Sequence, residues 1–206
     1  MRTFLIFTLV FNNIANISTG EIPPFLFNLA GITAWSYFKD CLVNTSDTFK
    51  KNEGIFGKVY FPRVIMPMSI VVSNLLKFGI QLLIFVFFYI IYVYKGMNIA
   101  ISWNLFYLPI LIFSMGMLGL GLGMIISSMV TKYRDLTFLI SFGVQLLMYL
   151  SAVMYPLELV RQKMPKYAWI VEYNPMTTVI ETFRSIVLGT GNVSILEIVY
   201  MLGIST

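Results

Sequence analysis

An all-α, multi-pass membrane protein of about six spans follows from three features of the sequence. Its 206 residues are 58% hydrophobic and 11% charged, against about 45–50% and about 25% in soluble domains. Mean hydropathy is +0.84. The apolar residues stand in long unbroken runs rather than the ~10-residue alternating segments of a membrane β-barrel. A water-soluble globule of this composition would lack the polar surface to stay dispersed. A soluble enzyme, a disordered tail and a fibrous repeat are therefore excluded.

Each element follows from the arithmetic of crossing. A ~30 Å hydrocarbon core takes about 20 apolar residues at ~1.5 Å each. Thr3–Ile17 is a short first span and Phe25–Val43 the second. Val64–Tyr94, the third, is longer than one crossing needs. Ile101–Val130 and Leu136–Met154 are the fourth and fifth. Ile195–Ile204 rises ~15 Å and cannot span alone. Met1 is not followed by the basic, apolar and small-residue sections of a signal peptide.

The connections set the orientation. Residues 44–63 and the tight turn 131–135 hold Lys50, Lys51, Lys58, Arg63, Lys132 and Arg134. The opposite connections hold Lys95, Arg161, Lys163, Lys166 and Arg184 over more than twice that length. Excess Lys and Arg marks the cytoplasmic side, so 44–63 and 131–135 are predicted inside and 155–192 outside. The outer segment is broken by Pro156, Pro165 and Pro175 into pieces too short to cross. Irregular backbone at membrane depth survives only inside protein or beside a water-filled cavity. A pair of re-entrant or interfacial helices at the outer face is expected.

Chemistry-bearing residues are few. There is no histidine and one cysteine, Cys41, so an internal disulfide is impossible and a zinc, copper or haem site has few ligands. No cofactor and no metal site is expected. The net charge of +5 reads as basic cytoplasmic loops rather than nucleic-acid binding, since no basic stripe interleaves with aromatics. The glycine run Gly116, Gly119, Gly121, Gly123 lacks the Lys-Ser/Thr of a phosphate-binding loop. Gly119 and Gly123 instead form a G-x-x-x-G pair for close helix approach. Lys77, about 15 Å up the third span from Pro67, is expected to pair with Asp40, because ionisable groups at such depth need partners. Trp35, Tyr37, Phe38, Tyr149 and Tyr155 are either interface and core residues or stacking faces along a conduit. Glu181 and Arg184, three apart on one helix face, are an ion pair in either a surface or a functional setting.

Four signatures then fall in order: Ala30-Gly31-Ile32-Thr33-Ala34-Trp35-Ser36-Tyr37-Phe38, Lys58-Val59-Tyr60-Phe61-Pro62-Arg63 with Pro67, Lys132-Tyr133-Arg134-Asp135-Leu136, and Asn174-Pro175-Met176 with Glu181 and Arg184. This ordered set resembles the membrane subunit of ABC-2-type exporters of polysaccharides, the group handling O-antigen, capsule or teichoic acid. The resemblance covers nearly the whole chain, 1–206, as one transmembrane domain. Relatives commonly have Pro where Ala34 stands, and Ser-Pro where Ser151-Ala152 stands. The family pattern also has a basic amphipathic helix before the first span and a complete sixth span. On that pattern this sequence begins inside the first span and stops inside the sixth.

The resemblance implies a permease in the bacterial cytoplasmic membrane, two copies flanking a path for a lipid-linked glycan. It implies no cofactor of its own, with ATP bound and hydrolysed on a separate cytoplasmic ABC ATPase subunit. Tyr60, Phe61, Pro62 and Arg63, with Tyr133, Arg134 and Asp135, would then meet that ATPase. Asn174, Pro175, Glu181 and Arg184 would form part of an outer gate. A small amphiphile, drug or lipid is the alternative cargo. A membrane-embedded transferase would need paired carboxylates or a histidine base, and here the nine acidic residues are scattered. A non-catalytic assembly factor is the remaining reading.

Overall fold

The structure is a computed structural model describing residues 22–52, 54, 62, 64–96, 103–133, 135–189, 200 and 203. The expected first span lies outside them, as does nearly all of the last apolar piece. Among the described residues every regular element is helical. In chain order these are α1 (Pro24–Ser46), α2 (Thr48–Lys51), α3 (Ile65–Tyr94), a 3-10 turn (Trp103–Tyr107), α4 (Leu108–Lys132), α5 (Leu136–Leu150), α6 (Leu157–Lys163), α7 (Ala168–Glu172) and α8 (Pro175–Leu188).

Local chemistry explains the boundaries. Pro24 occupies the first turn of α1, where its missing N–H costs nothing. Pro67 sits in the first turn of α3, and Gly96 beyond its end adopts φ +90°. The fourth span begins later than expected. Residues 103–107 form the 3-10 turn, and the α-helix starts at Leu108 with Pro109 in its first turn. The fifth stops at Leu150 rather than Met154. Its next carbonyls are taken by side chains from α8, and Pro156 disfavours helix at the residue before it. Among the described residues the outer segment holds three short helices rather than a pair.

Among the described residues two stretches are both long and apolar enough to cross a membrane, α3 and Asn104–Val130. At ~1.5 Å per residue, α1 also has the length, ~34 Å, but Asn28, Lys39, Asp40 and Asn44 interrupt it. α5, at ~22 Å, is shorter than a ~30 Å core. α3 turns Leu76, Leu83 and Ile80 outward, at 75%, 71% and 62% exposure. Such a surface would drive aggregation in water and matches lipid tails in a bilayer. The chain is a membrane protein.

α1 is the hub. Its buried residues face every direction, from Leu26 and Ala30 to Phe38, Cys41 and Thr45. α3 runs antiparallel to it: Phe25 meets Phe88 at 5.0 Å and Tyr37 meets Phe78 at 5.1 Å between ring centroids. Further along, the Asn44 amide donates to Asn74 Oδ1 at 3.4 Å. α4 runs parallel to α1, with Gly116 at Tyr37 and Gly123 at Thr45. The ends of α1 and α4 therefore share one end of the bundle, the basic end, where Lys50, Lys51 and Lys132 stand. The start of α1, the end of α3 and the 151–156 segment share the other.

Candidate functional site

At the basic end, α1 stops at Asp47, and Lys51 of α2 reaches back to it at 3.3 Å. Pro62 is exposed, and its carbonyl accepts from Ile65 N at 3.1 Å as α3 begins. Tyr133 is 58% exposed and its N–H closes α4 on Met129 O at 2.9 Å. Asp135 is exposed and its carbonyl accepts from Phe138 N at 3.2 Å. Tyr60, Phe61, Arg63 and Arg134 lie outside the described residues.

Within the bundle, α4 lies almost backbone to backbone on α1. A Cβ at Gly119 would stand 2.7 Å from Cys41 Cβ and 3.1 Å from Phe38 O. At Gly123 it would stand 2.6 Å from Thr45 Cβ and 2.9 Å from Leu42 O. Gly116 joins the same seam, its Cβ position 2.8 Å from the Tyr37 hydroxyl oxygen. Gly121, on the far side, meets nothing. This is small-residue packing, which substitutes close contact for the hydrophobic drive absent in lipid.

The aromatic group divides. Trp35, Tyr37 and Phe38 are buried, the first and last 5.5 Å apart between centroids. The Trp35 and Phe38 rings are covered by neighbours. Tyr37 also edges an apolar groove of about 460 Å³ between the start of α3 and α4, where Val71, Leu75, Ile112 and Met117 face it. Tyr149 is 43% exposed, and its carbonyl accepts from the Tyr155 hydroxyl.

At the opposite end the side chains of 174–184 converge on the break after α5. Asn174 caps α8, its Oδ1 accepting from Met176 N at 3.0 Å, with Pro175 next in the first turn. The same amide donates through Nδ2 to Ser151 Oγ at 3.0 Å and to Leu150 O at 3.4 Å. Arg184 is 2% exposed, which removes the surface ion pair as a reading. Its Nη1 donates to Ala152 O at 3.0 Å and to Glu181 Oε1 at 3.1 Å, and its Nη2 donates to Val153 O. The guanidinium lies over the Phe27 ring, 3.8 Å from the centroid. A buried charge needs both pairing and hydrogen bonds, and the planar fork of arginine supplies them in several directions.

Sequence reasoning missed the receiving residues. Ala152 holds φ +48°, uncommon for a residue with a Cβ. Gly31 is required because a Cβ there would fall 2.5 Å from Val153 O and on the Arg184 guanidinium. Gly31 stood inside a quoted signature, but its partner is a backbone carbonyl, which leaves no mark in sequence.

Asp40 accepts from Lys77 across the α1–α3 contact and lies 3.6 Å from Lys39. Among the described residues no group of three or more His, Cys, Asp or Glu is placed to hold a metal ion.

Residues 1–188 match a family model described as ABC-2 type transporter. The chain is similar to two O-antigen export system permease proteins of Klebsiella pneumoniae. It is 28% identical to one over 186 residues and 29% to the other over 185, spanning 89% of this chain and 69% of each relative. It is also 22% identical, over 182 residues, to an O-antigen export system permease protein of Myxococcus xanthus, spanning 88% of this chain and 67% of that one.

Proposed function

Because the chain belongs to the ABC-2 type transporter family, we propose that it is the permease subunit of an ATP-driven exporter of a lipid-linked polysaccharide. Its setting is the bacterial cytoplasmic membrane. The observation that carries the cargo is the similarity to O-antigen export permeases along 88–89% of this chain.

Two copies flank the path, and each meets a separate cytoplasmic ABC ATPase through residues 44–63 and 131–135. Tyr60, Phe61, Pro62 and Arg63 seat one contact, and Tyr133, Arg134 and Asp135 the other. ATP is bound and hydrolysed on the partner chain. The glycine seam makes α1 and α4 one rigid body, so a push at the basic end reaches the outer end without being absorbed by side-chain slack. There Asn174, Pro175, Glu181 and Arg184 hold the frame of an outer gate. The aromatics Trp35, Tyr37, Phe38, Tyr149 and Tyr155 belong to the conduit wall, Tyr149 with a face open to the glycan, Tyr155 half-buried beside it and the other three as its backing.

The test is a deletion strain complemented with this chain and its companion ATPase. Loss of surface glycan with accumulation of the lipid-linked form inside, restored only by both proteins together, is the expected result. Normal surface glycan in the deletion strain, with altered resistance to a small amphiphile, would move the cargo to the alternative class.

A further inference from the structure

The lipid-side surface of α3 is apolar except for one stripe. Ser69, Ser73 and Lys77 are exposed and spaced four apart, so they stack on one face. The serine hydroxyls are turned to their own helix, Ser69 to Met66 O and Ser73 to Ser69 O, each at 2.8 Å. At the top of the stripe Lys77 meets Asp40, which Lys39 also approaches. One carboxylate therefore serves two ammonium groups, and the cluster carries a net charge of +1. Among the described residues no second acidic group pairs with either lysine. The carboxylate lies at the back, its side chain 15% exposed, and the lysines at the front, 45% and 60% exposed.

Depth makes that surplus charge consequential. Lys77 stands 12 residues beyond Ile65, ~18 Å along the axis. α3 is ~45 Å long and overshoots a ~30 Å core by ~15 Å, so a centred helix puts Lys77 about 10 Å inside hydrocarbon. Side chains on a helix lean toward its N-terminus, so the Lys77 stem leans along the serine stripe toward the basic end, the direction in which a lysine snorkels. Snorkelling and local thinning of the bilayer bring such a group within reach of the head groups, where the anion at hand is a lipid phosphate, and lysine binds phosphate as a point charge.

We propose that Lys39 and Lys77, set by Asp40, bind the phosphate of a lipid head group in the leaflet on the basic side. The inference rests on the membrane setting and not on the identity of the cargo. A bilayer phosphatidylglycerol and a prenyl phosphate carrier offer the same chemistry.

The charge arithmetic gives variants of opposite sign. The chain is placed in nanodiscs of phosphatidylcholine with a minority of phosphatidylglycerol, with or without added prenyl phosphate, and the lipid retained through detergent extraction is measured by native mass spectrometry. The wild type should retain an anionic lipid over phosphatidylcholine, and whichever is enriched names the source. The double variant K39M/K77M should lose about tenfold of that retention. K39M alone keeps the Lys77–Asp40 contact and so the fold, and should fall part of the way. Asp40→Asn raises the charge to +2 and should increase retention. Variants that all melt earlier while retention stays unchanged would reduce the cluster to a structural ion pair and overturn the proposal. Displacement by millimolar inorganic phosphate as effective as by lipid would overturn the lipid assignment. Export that continues in a variant stripped of the lipid leaves the transport reading standing and confines the site to membrane anchoring.

Discussion

Arg184 shows how much one side chain can hold. It joins α8 to the backbone at Ala152 and Val153, to Glu181 and to the Phe27 ring. Arg184→Ala strands those carbonyls and the Glu181 carboxylate. The expected loss is about 3–5 kcal/mol, read as a lower melting temperature in detergent. Arg184→Lys keeps the charge but lacks the fork, and a loss of about 1–3 kcal/mol follows from the acceptors it cannot reach. The glycines give a sharper contrast. Gly123→Ala places a methyl against Thr45 and the Leu42 carbonyl and should cost about 1–3 kcal/mol. Gly121→Ala, with open space around it, should stabilise by up to about 1 kcal/mol. The same melting assay checks both. The spacing of Gly119 and Gly123 was readable beforehand because close approach leaves a compositional trace. The burial of Arg184 was not, since its acceptors are backbone carbonyls 31 and 32 positions away.

At the scale of elements, helix limits were legible where local chemistry sets them. α3 begins and ends within a residue of its apolar run, with Pro67 in its first turn and Lys95-Gly96 closing it. The end of α5 escaped because distant groups decide it: Asn174 and Arg184 accept the role that another turn of helix would have filled. The N-terminus of α8 depends on the same asparagine. Asn174→Ala removes a cap worth ~1 kcal/mol and also the bond to Ser151. Faster hydrogen exchange is expected both in the first turn of α8 and at 150–153, two segments far apart in sequence. Exchange confined to α8 would mean that the link to Ser151 contributes nothing. The aromatic residues of α1 illustrate the opposite difficulty, since a ring packed in a core and a ring backing a conduit have the same sequence appearance.

For the whole molecule, the antiparallel and parallel courses of α3 and α4 against α1 put the basic connections together. Cysteines placed at Lys51 and at Tyr133 in a Cys41→Ser background should be labelled by an impermeant maleimide from the same side of the membrane. Cysteines at Lys95 and Tyr167 should be labelled only from the other. Wild-type Cys41, 0% exposed, should stay unlabelled in the folded chain. Mixed sidedness for Lys51 and Tyr133 would contradict this arrangement. The alternation of spans was legible from run length alone, whereas the central position of α1 was not, because its polar residues argue for an edge.

That central position bears on biogenesis. A segment carrying Asn28, Lys39, Asp40 and Asn44 is a poor client for the translocon by itself, since a charge within a span raises the insertion cost, by up to ~2.5–3.5 kcal/mol at the helix centre. Its lateral release is favourable once Lys77 arrives to neutralise Asp40 and the seam of α4 closes over Cys41 and Thr45. A nascent chain arrested before α4 is complete would leave its central helix in the pore or at the surface, a ready target for quality-control proteolysis.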